Sequence, residues 1–169
     1  PFAPVYPALA RQLVEDYGIT KGVCVDLGGA EGSLAIALAK ASELIVYVVD
    51  IDPAAVRLCN LLADEASLRG RVRAIEGDAQ ALPLRDGFAD LVVSRNSMFQ
   101  WPDQIAGIKE AFRILKPGGR LAILEFSTPI VPGFGQLFNF YFSHILPRIG
   151  GAVSGSRGAY EYLPDSVSR

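Results

Sequence analysis

Apolar positions along the chain switch repeatedly between a helical spacing and an uninterrupted run, and each switch marks a candidate element. Pro7 to Tyr17 puts Leu9, Leu13 and Tyr17 on one helical face, with Gly18 as the stop. Val23-Cys24-Val25-Asp26-Leu27 reads as a short strand ended by an acid, then the turn Gly28-Gly29-Ala30-Glu31-Gly32, then a helix-forming run from Ser33 to Lys40. Leu44 to Val49 is apolar throughout, as expected of a parallel strand covered on both faces. It ends in Asp50-Ile51-Asp52, and Pro53 opens a helix with Asp52 as its N-cap. Val56, Cys59, Leu62, Ala63 and Ala66 form that helix's buried stripe.

Arg71 to Ile75 gives a third short strand before Glu76-Gly77-Asp78-Ala79, and Phe88 to Ser94 a fourth. Beyond Pro102, the residues Ile105, Ile108, Phe112 and Leu115 keep helical spacing. Lys116-Pro117-Gly118-Gly119 is expected to stop the helix and turn the chain into a fifth strand, Arg120 to Phe126. Alternating strands and helices at these intervals predict an α/β fold with a doubly wound, mostly parallel, Rossmann-like sheet. Further on, Phe134, Leu137, Phe138, Tyr141, Phe142, Ile145 and Ile149 make a wide apolar helical stripe, with Phe140 outside it. Such a stripe suits a core face, a lid over a greasy substrate, or a surface resting on a membrane.

The glycine-dense turn after the first strand is the centre of the chemistry. Gly28, Gly29 and Gly32 let backbone approach a ligand where a Cβ would collide, and the following helix N-terminus offers donors to an anion. A dinucleotide fingerprint needs glycines at the first, third and sixth positions of the turn, where this chain has Gly28, Ala30 and Ser33. That argues against a nicotinamide-dependent oxidoreductase. An acid about 20 residues past such a turn can hold a ribose diol; Asp50 fits, and is preferred to Asp52, which is placed to cap a helix.

Composition narrows the field. The 169 residues suit one domain, expected as an N-terminal helix in 1–21, a nucleotide-binding core in 22–126 and a helical lid, substrate or dimerisation segment in 127–169. Half of the residues are hydrophobic and a net charge of −2 makes no electrostatic case for nucleic acid. Cys24 and Cys59 lack metal-site spacing and suit buried thiols in a reducing, cytoplasmic setting. One histidine gives no histidine-rich metal site, so no metal is expected. No signal peptide or run of about 18 apolar residues is visible, so at most peripheral membrane contact is expected.

The order acid-x-Gly-x-x-x-Gly at Asp26, Gly28 and Gly32 resembles motif I of the class I S-adenosylmethionine (SAM) methyltransferases. This chain departs from it with Ala30 in place of the middle glycine and with Glu31 beside the expected methionine carboxylate. The resemblance covers Gly22 to Phe126 and includes Asp50, the Gly77-Asp78-Ala79 turn, Asp90 to Ser94 and Leu115-Lys116-Pro117-Gly118-Gly119. It implies SAM as cofactor, with Asp26, Gly28, Gly29, Gly32, Asp50, Ile51, Asp78, Ala79, Ser94 and Arg95 around it and Asp78 on the adenine side. The loop Arg95 to Trp101 would then lie over the reacting methyl group, unless Met98, Phe99 and Trp101 are only core cover.

The later segments, among them Glu125 to Pro129, Asn139 to Phe142, His144 to Gly150 and Ala159 to Val167, resemble the ubiquinone/menaquinone biosynthesis C-methyltransferases. That family methylates a ring carbon of a polyprenylated quinol precursor. The resemblance implies the same reaction here, with Asn96, Tyr141, His144 and Tyr160 on the substrate side and the catalytic base unassigned. Gly22 to Trp101 looks more like a generic methyltransferase domain, which suggests a divergent chain or a join near Leu115–Leu121. By the family pattern further elements would follow a segment like Tyr162–Val167. The fifth strand is therefore expected to be an open edge, and the partner a second copy of the chain, with or without exchange of C-terminal segments. Two other readings stay open: methylation of a different small molecule, and a truncated or engineered domain that keeps the fold without activity.

Overall fold

The computed structural model describes residues 5–125. They fold into one five-stranded parallel sheet in the order β3-β2-β1-β4-β5. The elements in chain order are α1 (Val5–Tyr17), β1 (Lys21–Leu27), α2 (Ser33–Ala41), β2 (Glu43–Asp50), α3 (Pro53–Glu65), β3 (Val72–Glu76), β4 (Ala89–Arg95), α4 (Gln104–Ile114) and β5 (Leu115–Leu124), with a short 3-10 turn at Met98–Gln100. No helix among the described residues is long and apolar enough to cross a membrane.

Local chemistry fixes the boundaries. Gly18 leaves α1 at φ 64° and its amide donates to the carbonyl of Val14, which closes the helix. The Asp52 carboxylate accepts from the amide of Ala54 at 2.8 Å, so Asp52 caps α3 ahead of Pro53 as expected. Asp103 does the same for α4 through Ala106 at 2.9 Å.

Because side chains alternate across a strand, the sheet has two distinct faces. On one, Ala10 and Leu13 of α1, Leu34 and Leu38 of α2, and Cys59 and Ala63 of α3 pack on Cys24, Val46, Val48 and Val93. On the other, Ala111 and Ile114 of α4 and Leu82 of the β3–β4 crossover cover Val25, Leu27, Val49 and Val92.

That crossover, residues 77–88, contains no helix. Arg113 of α4 holds it, donating to the carbonyls of Leu82 and Leu84 and to the carboxylates of Glu110 and Asp86, while Glu110 accepts from the amide of Leu82. Phe88 closes the span with an edge-on contact to Tyr47, ring centroids 5.1 Å apart.

Three expectations change. On α4 the buried positions are Gly107, Ala111 and Ile114, whereas Ile105 and Phe112 are 66% and 62% exposed. Gly107 decides this rotation: the Trp101 ring fills the space its missing side chain leaves, so the small face turns inward. The Lys116-Pro117-Gly118-Gly119 segment is not a turn between elements but a bulge inside β5. Ala89 pairs with Leu115 and Leu91 with Arg120, so residues 116–119 loop out of register. Lys116 reaches back from the bulge to Asp90 at 2.8 Å, and Asp90 also accepts from the amide of Val23 at 2.8 Å, which ties β1, β4 and β5 together. Finally, Leu62 and Ala66 are only partly buried, so the inner stripe of α3 narrows to Cys59 and Ala63.

At the outer side of β3, the Asn60 side-chain amide both donates to and accepts from the backbone of Ala74, at 3.0 and 2.9 Å. β5 has β4 as its one paired strand among the described residues.

Candidate functional site

The connections run in opposite directions on either side of the β1/β4 boundary, and this reversal opens a crevice at the carboxyl ends of the strands. A cleft of about 420 Å³ occupies it. Of the residues singled out in the sequence, Asp26, Gly28, Gly29, Asp50, Ile51, Asp78, Ala79, Arg95 and Asn96 line this one cleft. Gly32 and Ser94 do not. Tyr141, His144 and Tyr160 lie outside the described residues.

The glycines are also required by neighbouring protein. A side chain at Gly28, which sits at φ 66°, would run into Ser97, and one at Gly29 would come within 2.7 Å of Asp26 Oδ2. Gly32, at φ 78°, forms the N-cap position of α2, and its bare Cα leaves room for the Cys59 thiol. Neighbouring protein therefore fixes all three, before any ligand is considered. Ala30 takes the left-handed conformation at φ 48° in place of a glycine, a strained choice for a residue with a Cβ.

That strain is held by a hydrogen bond. The amide of Ala30 donates to Asp50 Oδ2 at 2.9 Å, and the amide of Asp52 donates to Asp50 Oδ1 at 2.9 Å. The end of β2 is thus tied to the glycine turn, and each oxygen of Asp50, which lines the cleft, retains further acceptor capacity. Glu31 folds back onto the Ser33 hydroxyl at 2.8 Å, although it remains part of the cleft wall. Asp78 accepts from the backbone and side chain of Gln80, whose other amide atom accepts from Asp103 at 2.7 Å. Gln80 therefore joins the floor of the cleft to the start of α4.

Asp26 stands apart. It is 1% exposed, and its Oδ2 has no hydrogen-bond partner. Burial raises its pKa from 3.8 to about 7; Arg95 opposes the shift through space, and Asp50 and Glu31 add to it. Burial also pushes the Cys59 thiol up to about 11, with Asp26, Glu31 and Asp50 adding to it, and lifts Cys24 well above its usual range, so neither is poised as a nucleophile.

The loop after β4 forms part of the wall through Ser97 and Trp101, and Tyr6 of α1 joins it without having been anticipated. Ser97 donates to the carbonyl of Leu27 at 2.8 Å and meets the Ser94 hydroxyl at 2.9 Å, which puts Ser94 behind the wall rather than in it. Glu125 accepts from the amides of Ser97 and Met98 and so holds the loop after β4. Within that loop, Trp101 both lines the cleft and packs on the core, while Phe99 is 48% exposed and outside the wall. Tyr6 lines the cleft from α1, beneath the Arg95 guanidinium. Its sequence signal was available: Tyr6 lies three positions before Leu9 and seven before Leu13, on the same helical stripe.

The doubly wound sheet, the glycine turn and the carboxylates at the ends of β1 and β2 define the Rossmann-like, class I methyltransferase fold. Sequence comparison agrees: the ubiE/COQ5 methyltransferase family matches residues 11–169, on both sides of the suspected join at Leu115–Leu121. The chain belongs to that family. It is 40% identical over 144 residues to a demethylmenaquinone methyltransferase of Deinococcus radiodurans, covering 85% of this chain and 59% of that protein. It is 36% identical over 160 residues to a ubiquinone/menaquinone biosynthesis C-methyltransferase UbiE of Citrifermentans bemidjiense, covering 93% and 68% respectively. A Methanococcus maripaludis protein assigned to the S-adenosyl-L-methionine-dependent methyltransferases superimposes with a TM-score of 0.73 at 29% identity, over 98% of this chain and 75% of its own. The chain thus spans about 60% of the length of the first curated relatives it matches.

Proposed function

We propose that the chain is a SAM-dependent methyltransferase acting on a ring carbon of a prenylated quinol. The observation that carries the cofactor is Asp26 Oδ2, a fully buried carboxylate oxygen with no partner, in the wall of a cleft that also holds Asp50 and Asp78. Such an oxygen is costly to leave unpaired, and an ammonium group in the cleft would satisfy it. The residues present therefore fit the ammonium of the cofactor's amino-acid end. Asp50, oriented by two backbone amides, is placed for the two hydroxyls of a ribose. Asp78 and the amide of Ala79 take the adenine edge, and Ile51, 71% exposed at the cleft rim, gives its ring an apolar surface.

The cofactor supplies a sulfonium-bound methyl group that is already electrophilic. The protein's share is alignment and exclusion of water. Asp26, Asp50 and Asp78 set the position along the cleft, and the loop held by Glu125 covers the side on which Asn96 and Trp101 face the acceptor. Asn96, at φ 52° with its amide donating to the carbonyl of Leu124, has a fixed backbone and can hold a polar group of the acceptor. The acceptor class is supported by the names of the relatives, and by the apolar stripe read from sequence between Phe134 and Ile149, which suits an isoprenoid tail or peripheral contact with a membrane.

Calorimetry with SAM and with S-adenosylhomocysteine tests the cofactor; no heat of binding at millimolar ligand overturns it and leaves a non-catalytic domain. Turnover with demethylmenaquinol against a panel of small phenols and thiols tests the acceptor, and preference for a panel member would reassign it. Among the described residues β5 pairs on one side only, which supports a homodimer, tested by light scattering, in which a clean monomer at micromolar concentration is the contrary result. The two free, buried cysteines support a reducing, cytoplasmic location.

A further inference from the structure

Arg95 is the one basic side chain in the cleft wall among the described residues, and the wall carries four carboxylates: Asp26, Glu31, Asp50 and Asp78. A guanidinium in such company would be expected to pair with one of them. Among the described residues it forms no ion pair with any. Instead it lies over the Tyr6 ring, 4.8 Å from the centroid, and donates through Nη1 to the Tyr6 hydroxyl at 2.9 Å. Tyr6 is on α1 and Arg95 at the end of β4, so the contact joins two elements that border the cleft.

The charge on Arg95 does reach Asp26, where it opposes the effect of burial, yet Asp26 Oδ2 keeps no partner. The cleft therefore holds an unpaired buried carboxyl oxygen and, close by, a cation directed elsewhere. An ammonium ligand alone would answer the first and leave the second unexplained. A zwitterion, with both charges on one carbon, answers both.

Resting on the cofactor reading above, we infer that Arg95 receives the carboxylate of the ligand's amino-acid tail while Asp26 receives its ammonium, with Tyr6 as the residue that positions Arg95. The planar fork of a guanidinium matches a carboxylate at two points, and a lysine ammonium does not. Tyr6 contributes an acceptor for one N–H and a ring face for the cation, so the fork is held before the ligand arrives. The tail is then read by charge at both ends, and a nucleoside without it gains nothing from Arg95.

The experiment compares two probes by calorimetry on the full chain: S-adenosylhomocysteine, which carries the zwitterion, and 5′-methylthioadenosine, which lacks it. Arg95→Met is expected to weaken S-adenosylhomocysteine by roughly 10- to 100-fold, the range of a charge-assisted bond, and to leave methylthioadenosine within about twofold. Arg95→Lys should recover part of the loss. Tyr6→Phe keeps the ring, removes the hydroxyl, and should cost S-adenosylhomocysteine a few-fold with no effect on the other probe. Equal weakening of both probes by Arg95→Met, or of neither, overturns the inference. Wild-type binding of both probes with equal affinity also overturns it while leaving the nucleoside site standing. If the wild type binds neither probe, the cofactor reading fails and this inference fails with it.

Discussion

On one face of the sheet three helices lay a continuous apolar layer over β1, β2 and β4; on the other, α4 and the crossover of residues 77–88 cover the same strands with fewer apolar side chains and a guanidinium network. The first face is held mainly by area removed from water, which is non-directional and tolerant of small shifts. The second depends on Arg113 finding four acceptors at fixed positions, which is directional. The lesson is that a crossover without a helix can still close a doubly wound sheet when a side chain on the neighbouring helix satisfies its carbonyls.

The faces should therefore break differently. Leu38→Ala, at a fully buried position of α2, is expected to cost about 2–5 kcal/mol in denaturant unfolding, because the helices cannot collapse into the cavity. Asp26, the one carboxylate buried on that face among the described residues, should give the next largest effect, and through pH. Its folded pKa, about 7, is above the ordinary 3.8, so its contribution is full below about 4 and is lost as pH rises toward about 7. The loss is of the order of a few kcal/mol. Asp26→Asn should flatten that slope in melting scans from pH 4 to 8 and weaken SAM binding at neutral pH. A variant with an unchanged slope would mean that Asp26 is already ionised in the folded chain.

Arg113→Met should cost about 1–3 kcal/mol and speed hydrogen exchange at the Leu82 amide, with α2 amides unaffected. Glu110 titrates in the opposite sense to Asp26. Its hydrogen bonds from Arg113, opposed by burial and helped by the amide of Leu82, lower its carboxyl below 4.5, so its contribution is present above that value and is lost as pH falls. Acid should thus loosen the crossover while relieving Asp26, a split that residue-resolved exchange can read. Asp86→Asn should be smallest, under about 1 kcal/mol, because the Asp86 side chain is 81% exposed.

Much of this was legible in the chain. The apolar run Leu44 to Val49 and the Asp52-Pro53 pair fixed β2 and the start of α3, since burial on both faces and a helix cap each leave a local mark. Asp26 and Asp50 were readable at the ends of apolar runs that became β1 and β2, and Asp78 through the resemblance carried by Gly77-Asp78-Ala79; all three line the cleft. What escaped depends on contacts distant in sequence. Nothing near Gly28 announces Ser97 as its neighbour, and nothing near Leu82 announces Arg113. The outward turn of Ile105 and Phe112 escaped for another reason: hydrophobic spacing outvoted the small pair Gly107 and Ala111, which the Trp101 ring and the sheet select.

Asn60 has a consequence for how copies of this chain could meet. Its amide occupies the backbone N–H and C=O of Ala74, the middle residue of β3, so that border is blocked at its centre from within the molecule. A strand from another copy pairing there would first have to displace this amide, whereas β5 pairs on one side only among the described residues. Strand addition beside β3 would thus begin with the loss of two hydrogen bonds, a built-in bias against growth along that border.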